Sequence, residues 1–145
     1  MTKIIIFLLV AAVLLAGCAS EAEVQDAPSA MITIYRDGTS FTNSYTASKG
    51  YDVEADGGFA FLIIHVNIEN FSHDDFDVSP YRFKAEVNNV EYTPTMYFGD
   101  KSLPYVNLKP DGSVDGYVCF EVPDAEEINY RVGYNTNSDY DIEFK

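Results

Sequence analysis

From Met31 onward the apolar residues of this chain return at every second position. Side chains of a strand point alternately to opposite faces, so this period commits the chain to half-buried strands. It excludes amphipathic helices, whose apolar residues return every three to four positions. Tyr81-Arg82-Phe83-Lys84-Ala85-Glu86-Val87 alternates cleanly, apolar on one face and charged on the other. Tyr140 to Lys145 does the same, and Tyr130, Val132 and Tyr134 alternate with Asn129, Arg131 and Gly133. Phe59–Asn70 is longer and apolar on both faces at its start, which predicts a central strand covered on both sides only in its first half.

Turn residues punctuate these runs. Asn88-Asn89, between Val87 and Val90, suits a two-residue hairpin, because asparagine tolerates positive φ. Asp37-Gly38, between MITIYR and TSFTNSY, is a second hairpin signal. Pro110-Asp111-Gly112 opens the strand Ser113–Val122 and Pro123-Asp124 closes it. Within that strand Val114, Val118, Phe120 and Val122 form the apolar set, so Tyr117 and Cys119 fall on the other face. The Tyr-x-Cys pattern of antibody domains is therefore not reproduced here in its structural sense, and no tryptophan exists to accompany it. Short strands with regular turns predict an all-β, antiparallel sandwich or barrel. Eleven tyrosines and ten phenylalanines lean the same way, since both residues favour sheets.

Ahead of the strands the chain reads differently. After Met1-Thr2-Lys3 an apolar run, IIIFLLVAAVLL, spans Ile4 to Leu15. A permanent helical span needs about 20 apolar residues, so this run has the length and flanks of a signal-peptide core instead. Leu15-Ala16-Gly17-Cys18 follows it directly and resembles a lipobox, in which the cysteine is lipidated and becomes residue one. Residues 1–17 are thus expected to be removed and Cys18 to anchor the chain in a membrane, facing the extracellular or periplasmic side. Residues 18–30, small and acidic without apolar periodicity, are expected to form a disordered tether. Residues 31–145 remain for the domain.

The formal charge is −14. Loss of Lys3 leaves eight Lys and Arg against 23 Asp and Glu, a field that repels phosphate backbones and excludes direct nucleic-acid binding. With Cys18 lipidated, Cys119 has no partner for an internal disulfide, and the domain has to rest on its apolar core.

Phe61 to Asn70 followed by Phe71-Ser72, then Leu108-Lys109-Pro110-Asp111-Gly112 and Gly116-Tyr117-Val118-Cys119-Phe120-Glu121-Val122-Pro123, resembles a family of telokin-like, immunoglobulin-fold domains of unknown function. These occur in secreted bacterial and archaeal lipoproteins. The resemblance spans Met31 to Phe144 and rests on strand and turn positions, so no catalytic residue carries over. It implies an immunoglobulin-like two-sheet sandwich and a role in surface interaction.

Chemistry-bearing residues are sparse. The chain contains no Gly-x-Ser-x-Gly elbow, no His-Glu-x-x-His and no Cys-x-x-Cys. His65 lies mid-strand and His73 in a loop, and no nucleophile–base pair is visible around either. No enzymatic activity and no cofactor are expected. The best site candidate is His73-Asp74-Asp75-Phe76-Asp77, where Asp74, Asp75 and Asp77 offer oxygen ligands to a divalent cation. An EF-hand spacing fails there, because Pro80 stands where glycine must turn, and a solvated acidic turn is the plainer reading. Asp52 to Gly58 is likewise read as an acidic turn. Asn70-Phe71-Ser72 fits a glycan acceptor, and Tyr97, Phe98 and Tyr105 could stack on sugar rings. The function expected is a non-catalytic interaction module, contacting other envelope or surface proteins through Ser72–Pro80 and Met96–Tyr105. The alternative is a divalent-cation or other small-ligand binder of the cell envelope.

Overall fold

The computed structural model describes residues 29–138 and 140–145. The signal core, Cys18 and nearly all of the tether lie outside the described residues. The described chain is all-β, with eleven strands and one 3-10 turn. β1 (Ala30–Thr42), β4 (Phe59–Asn70), β9 (Ser113–Pro123) and β11 (Tyr140–Phe144) form one sheet in the order β11-β1-β4-β9. β6 (Phe83–Val87), β7 (Val90–Tyr92) and β10 (Tyr130–Tyr134) form a second, ordered β10-β6-β7. Two ribbons complete the fold: β2 (Ser44–Thr46) with β3 (Asp52–Glu54), and β5 (Phe76–Val78) with β8 (Val106–Leu108).

Alternation does what it was expected to do. Ile32, Ile34, Leu62, Ile64, Val66, Ile68, Val118, Phe120 and Val122 of the first sheet meet Phe83, Ala85 and Val87 of the second in one buried cluster. Phe76, Val78, Leu103, Leu108 and Tyr134 close it. The two sheets are thus the layers of a β-sandwich. β4 is buried on both faces from Ala60 to Ile64 and on one face beyond, as its sequence predicts. The second cluster, on the outer face of the first sheet, gathers Phe61, Ile63 and Cys119 beneath Tyr45, Val53, Ala55, Tyr97 and Tyr117. The Tyr134 hydroxyl donates to the carbonyl of Asp77 (2.9 Å) and accepts from the Ser79 amide (3.1 Å), tying β10 to the chain between β5 and β6.

Five expectations give way. Asp37-Gly38 is not a hairpin: β1 runs through it, and both flanks pair with β4, with a register shift between Tyr35 and Ser40. Glycine serves close approach here, since a Cβ on Gly38 would lie 2.7 Å from the Cβ and Nδ1 of His65. Tyr81-Arg82 is not strand, because Ser79 caps a 3-10 turn whose first residue is Pro80, and Tyr81 stays exposed. The sandwich is not wholly antiparallel, since β11 joins β1 in parallel, Ile32 opposite Ile142. A period of two reports which face a side chain takes and carries no information on strand direction. Asp52–Glu54, read as turn, is a short strand paired with Ser44–Thr46, and the domain begins one residue earlier than expected, with Ala30 fully buried.

Asn88 and Asn89 do form the β6–β7 hairpin, with φ of 50° and 65°. Glycine is the residue that this turn prefers at its second position. Asn89→Gly is expected to stabilise the domain by about 0.5 kcal/mol, read as a raised midpoint in urea. An unchanged or lower midpoint would mean that the asparagine side chain holds the turn in some other way.

Candidate functional site

The acidic segment after β4 resolves into structural contacts. Asn70 is buried, and its amide donates to the carbonyls of Asp74 (2.8 Å) and Leu108 (3.0 Å). Its Oδ1 accepts from the Ser72 amide (3.0 Å) and hydroxyl (2.8 Å). Both hydrogens of the nitrogen that a glycan would occupy are therefore committed within the fold. Asn70 acts instead as a pin between β4, the 71–75 loop and β8.

Asp74, Asp75 and Asp77 do not converge. β5 alternates, so Phe76 and Val78 enter the core while Asp75 and Asp77 look outward. Asp75 accepts from Lys109 (2.6 Å) and Asp77 pairs with Arg82. His73 is exposed and makes no ion pair among the described residues. Among those residues no group of three or more His, Cys, Asp or Glu side chains is placed to hold a metal ion. The expected cation site is thus a set of surface carboxylates, two of them in ion pairs worth at most about 1 kcal/mol each.

A different constellation stands on the outer face of the first sheet. Tyr35, His65 and Tyr117 lie directly opposite one another on β1, β4 and β9. Their rings form a row, His65 being 4.9 Å from Tyr35 and 4.8 Å from Tyr117 between centroids. Asp115, two residues before Tyr117 on the same face, holds the His65 Nε2 at 2.7 Å. The row continues through Tyr97 and Tyr45 to Phe61, at 6.0, 4.9 and 5.1 Å. Cross-strand aromatic contacts of this kind contribute about 0.5–1 kcal/mol each. Sequence placed His65 and Tyr117 on strands, but only the register of three strands joins them.

The segment 95–103 clamps the open edge of β9. Thr95 donates to the carbonyl of Cys119 (2.8 Å), Leu103 to that of Tyr117 (2.9 Å), and Tyr117 to that of Lys101 (2.8 Å). Leu103 is buried, and Tyr97 covers the second cluster. Met96 and Phe98, within the clamp, and Tyr105, two residues beyond it, are 57%, 43% and 72% exposed. The loop expected to make contacts is therefore a braced platform that leaves Met96 and Phe98 exposed. A bare β edge invites pairing with another chain, and this clamp blunts it.

Cys119 is buried under this platform and free of any disulfide. Burial first, and the Glu121 carboxylate second, push its thiol up to about 12. A proton held that firmly is the reverse of nucleophile activation. Burial also raises Tyr45, Tyr97 and Tyr134 above the usual phenol value. All four groups prefer the neutral form when folded, so their contribution is whole below their unfolded pKa values, about 9 for the thiol and 10 for the phenols. It is lost as the pH rises through the folded values. Stability is expected to fall steadily from about pH 9 to 12, while Cys119 resists aromatic disulfide reagents until the domain unfolds. Thiol labelling at pH 8 as fast as that of a denatured control would contradict this placement.

The first solved structure that resembles the chain is the "putative lipoprotein (ycdA)" of Bacillus subtilis, 19% identical, with a TM-score of 0.54. The likeness covers 68% of this chain and 30% of that one, so the chain spans less than a third of that protein's length. A second resemblance is to an uncharacterized β-sandwich protein of Clostridium difficile, 12% identical, TM-score 0.44, covering 79% of this chain and 84% of that one. No curated protein sequence matches the chain. Residues 28–142 match the family described as Domain of unknown function (DUF4352), and the chain belongs to that family.

Proposed function

We propose that this chain is a lipid-anchored lipoprotein displaying an immunoglobulin-like, telokin-like sandwich as a non-catalytic interaction module outside the membrane. The observation that carries the reading is the clamped 95–103 segment, which leaves Met96 and Phe98 exposed between its hydrogen bonds to β9. Exposed aromatic and methionine side chains in one place mark surfaces that meet partners, more than single apolar residues scattered over a surface do. The lipobox at Cys18 and the lipoprotein name of the Bacillus subtilis neighbour support the anchoring half of the reading. The partner in this reading is another envelope or surface protein.

A photoreactive phenylalanine analogue at Phe98 tests the contact in intact cells. A discrete crosslinked band, lost when Met96 and Tyr105 are changed to serine, is the expected result. Both positions are exposed, so those changes should leave the Tm within about 2 °C. Absence of any adduct, or a smear unaffected by the serine variant, would refute the platform. Intact mass tests the anchor independently, expecting loss of residues 1–17 and a diacylglycerol on Cys18 that vanishes in Cys18→Ser.

A further inference from the structure

The chain contains only three arginines, and two of them line one cleft. Arg82 is neutralised by Asp77. Arg36 and Arg131 form no ion pair among the described residues, although the chain holds 23 carboxylates. They line an open cleft of about 300 Å³ together with Ile128, Asn129, Tyr130 and Phe144. The topology builds it. β11 lies parallel to β1 with Phe144 opposite Ile34, and the Arg36 amide donates to the Lys145 carbonyl (2.8 Å). The Arg36 guanidinium then lies 5.5 Å from the centre of the Phe144 ring. β10, the edge of the second sheet, brings Tyr130 and Arg131 to the other wall. Glu86, opposite Arg131 in register, forms no ion pair with it.

We infer that this cleft binds a ligand carrying a carboxylate on an apolar body. The two guanidiniums take the carboxylate, and Ile128, Tyr130 and Phe144 take the body. Guanidinium forks match carboxylate geometry, and an arginine already stacked on an aromatic ring loses little freedom on engaging it. The net charge of the protein does not forbid this. Screening at physiological salt reaches about 8 Å, so distant carboxylates contribute little while the two arginines act at contact. Arg36 lies six residues along β1 from Ala30, about 20 Å from where the tether enters, which presents the cleft away from any anchor.

Arginine-selective 15N spectra of the full chain in detergent micelles test the site, because only three Nε signals exist. Titration with 3-phenylpropionate should move the Arg36 and Arg131 signals saturably in the millimolar range and leave Arg82 in place. Its amide should move none, and Arg131→Gln should weaken the Arg36 response at least tenfold with the rest of the spectrum unchanged. The inference is overturned if no saturable shift occurs, or if Arg82 moves equally. It is also overturned if the amide binds as well, making the site merely apolar, or if inorganic phosphate binds as well, making it a bare charge pair.

Discussion

Gly116→Ala is expected to destabilise the domain by about 4 kcal/mol. A Cβ at this position would stand 2.6 Å from the Cα and 2.8 Å from the amide nitrogen of Leu103, and 2.9 Å from the Lys101 carbonyl. These are backbone atoms, so no rotamer change relieves the contact. The 101–103 stretch has to lift from β9. With it go the two hydrogen bonds between Leu103, Tyr117 and Lys101, each worth about 1 kcal/mol. Leu103 also leaves the core, at about 2 kcal/mol. Urea denaturation reads the loss, and hydrogen exchange at the Tyr117 amide locates it. The same lift uncovers the β9 edge, so the variant should also associate more readily than the parent at equal concentration. A Gly116→Ala protein with parental stability and a protected Tyr117 amide would show that the segment is not held by this contact.

Asn70→Ala is expected to cost about 3 kcal/mol and lower the Tm by roughly 10 °C. The side chain serves four hydrogen bonds, and its removal takes from the Leu108 carbonyl a donor supplied at a buried site. Asn70→Asp separates hydrogen bonding from shape. The isosteric carboxylate would point an acceptor at two carbonyls that now receive donors, so its folded pKa must rise above the ordinary value near 4. A raised folded pKa means stability present at acid pH and lost as pH rises through that value. Asn70→Asp should therefore be closest to the parent below about pH 4 and fall behind it toward pH 7. Equal deficits at both pH values would show that the amide's donors are not what the position requires. A glycan on Asn70 would break the same bonds, so a glycosylated chain should share the deficit of the alanine variant.

Much of the architecture was legible because a period of two is a local property. Phe83, Ala85 and Val87 entered the core, and the Asn88-Asn89 turn formed, for reasons contained in seven consecutive residues. Cys119 was placed on the face opposite Phe120 by the same rule, and it is found there beside Phe61 and Ile63. Errors arose where one residue type has two uses. Gly38 signalled a turn but serves close approach to His65, and Tyr81 and Arg82 read as strand although Pro80 before them starts a 3-10 turn. The site candidates suffered most. Asp74, Asp75 and Asp77 are neighbours in sequence, but Asp75 and Asp77 pair instead with Lys109 and Arg82, which come from other segments.

The fold class, the faces of the strands and the sandwich core follow from the order of residues along the chain, since alternation decides which side chains leave water and hydrophobic burial does the rest. Tertiary structure alone decided everything that depends on register and direction. The Tyr35–His65–Tyr117 row needs three strands aligned residue to residue, the clamp on β9 needs Gly116 beneath Leu103, and the arginine cleft needs β11 parallel to β1. Such contacts join segments far apart in the chain, and no local pattern of apolar and polar residues encodes which strand lies beside which, or at what offset.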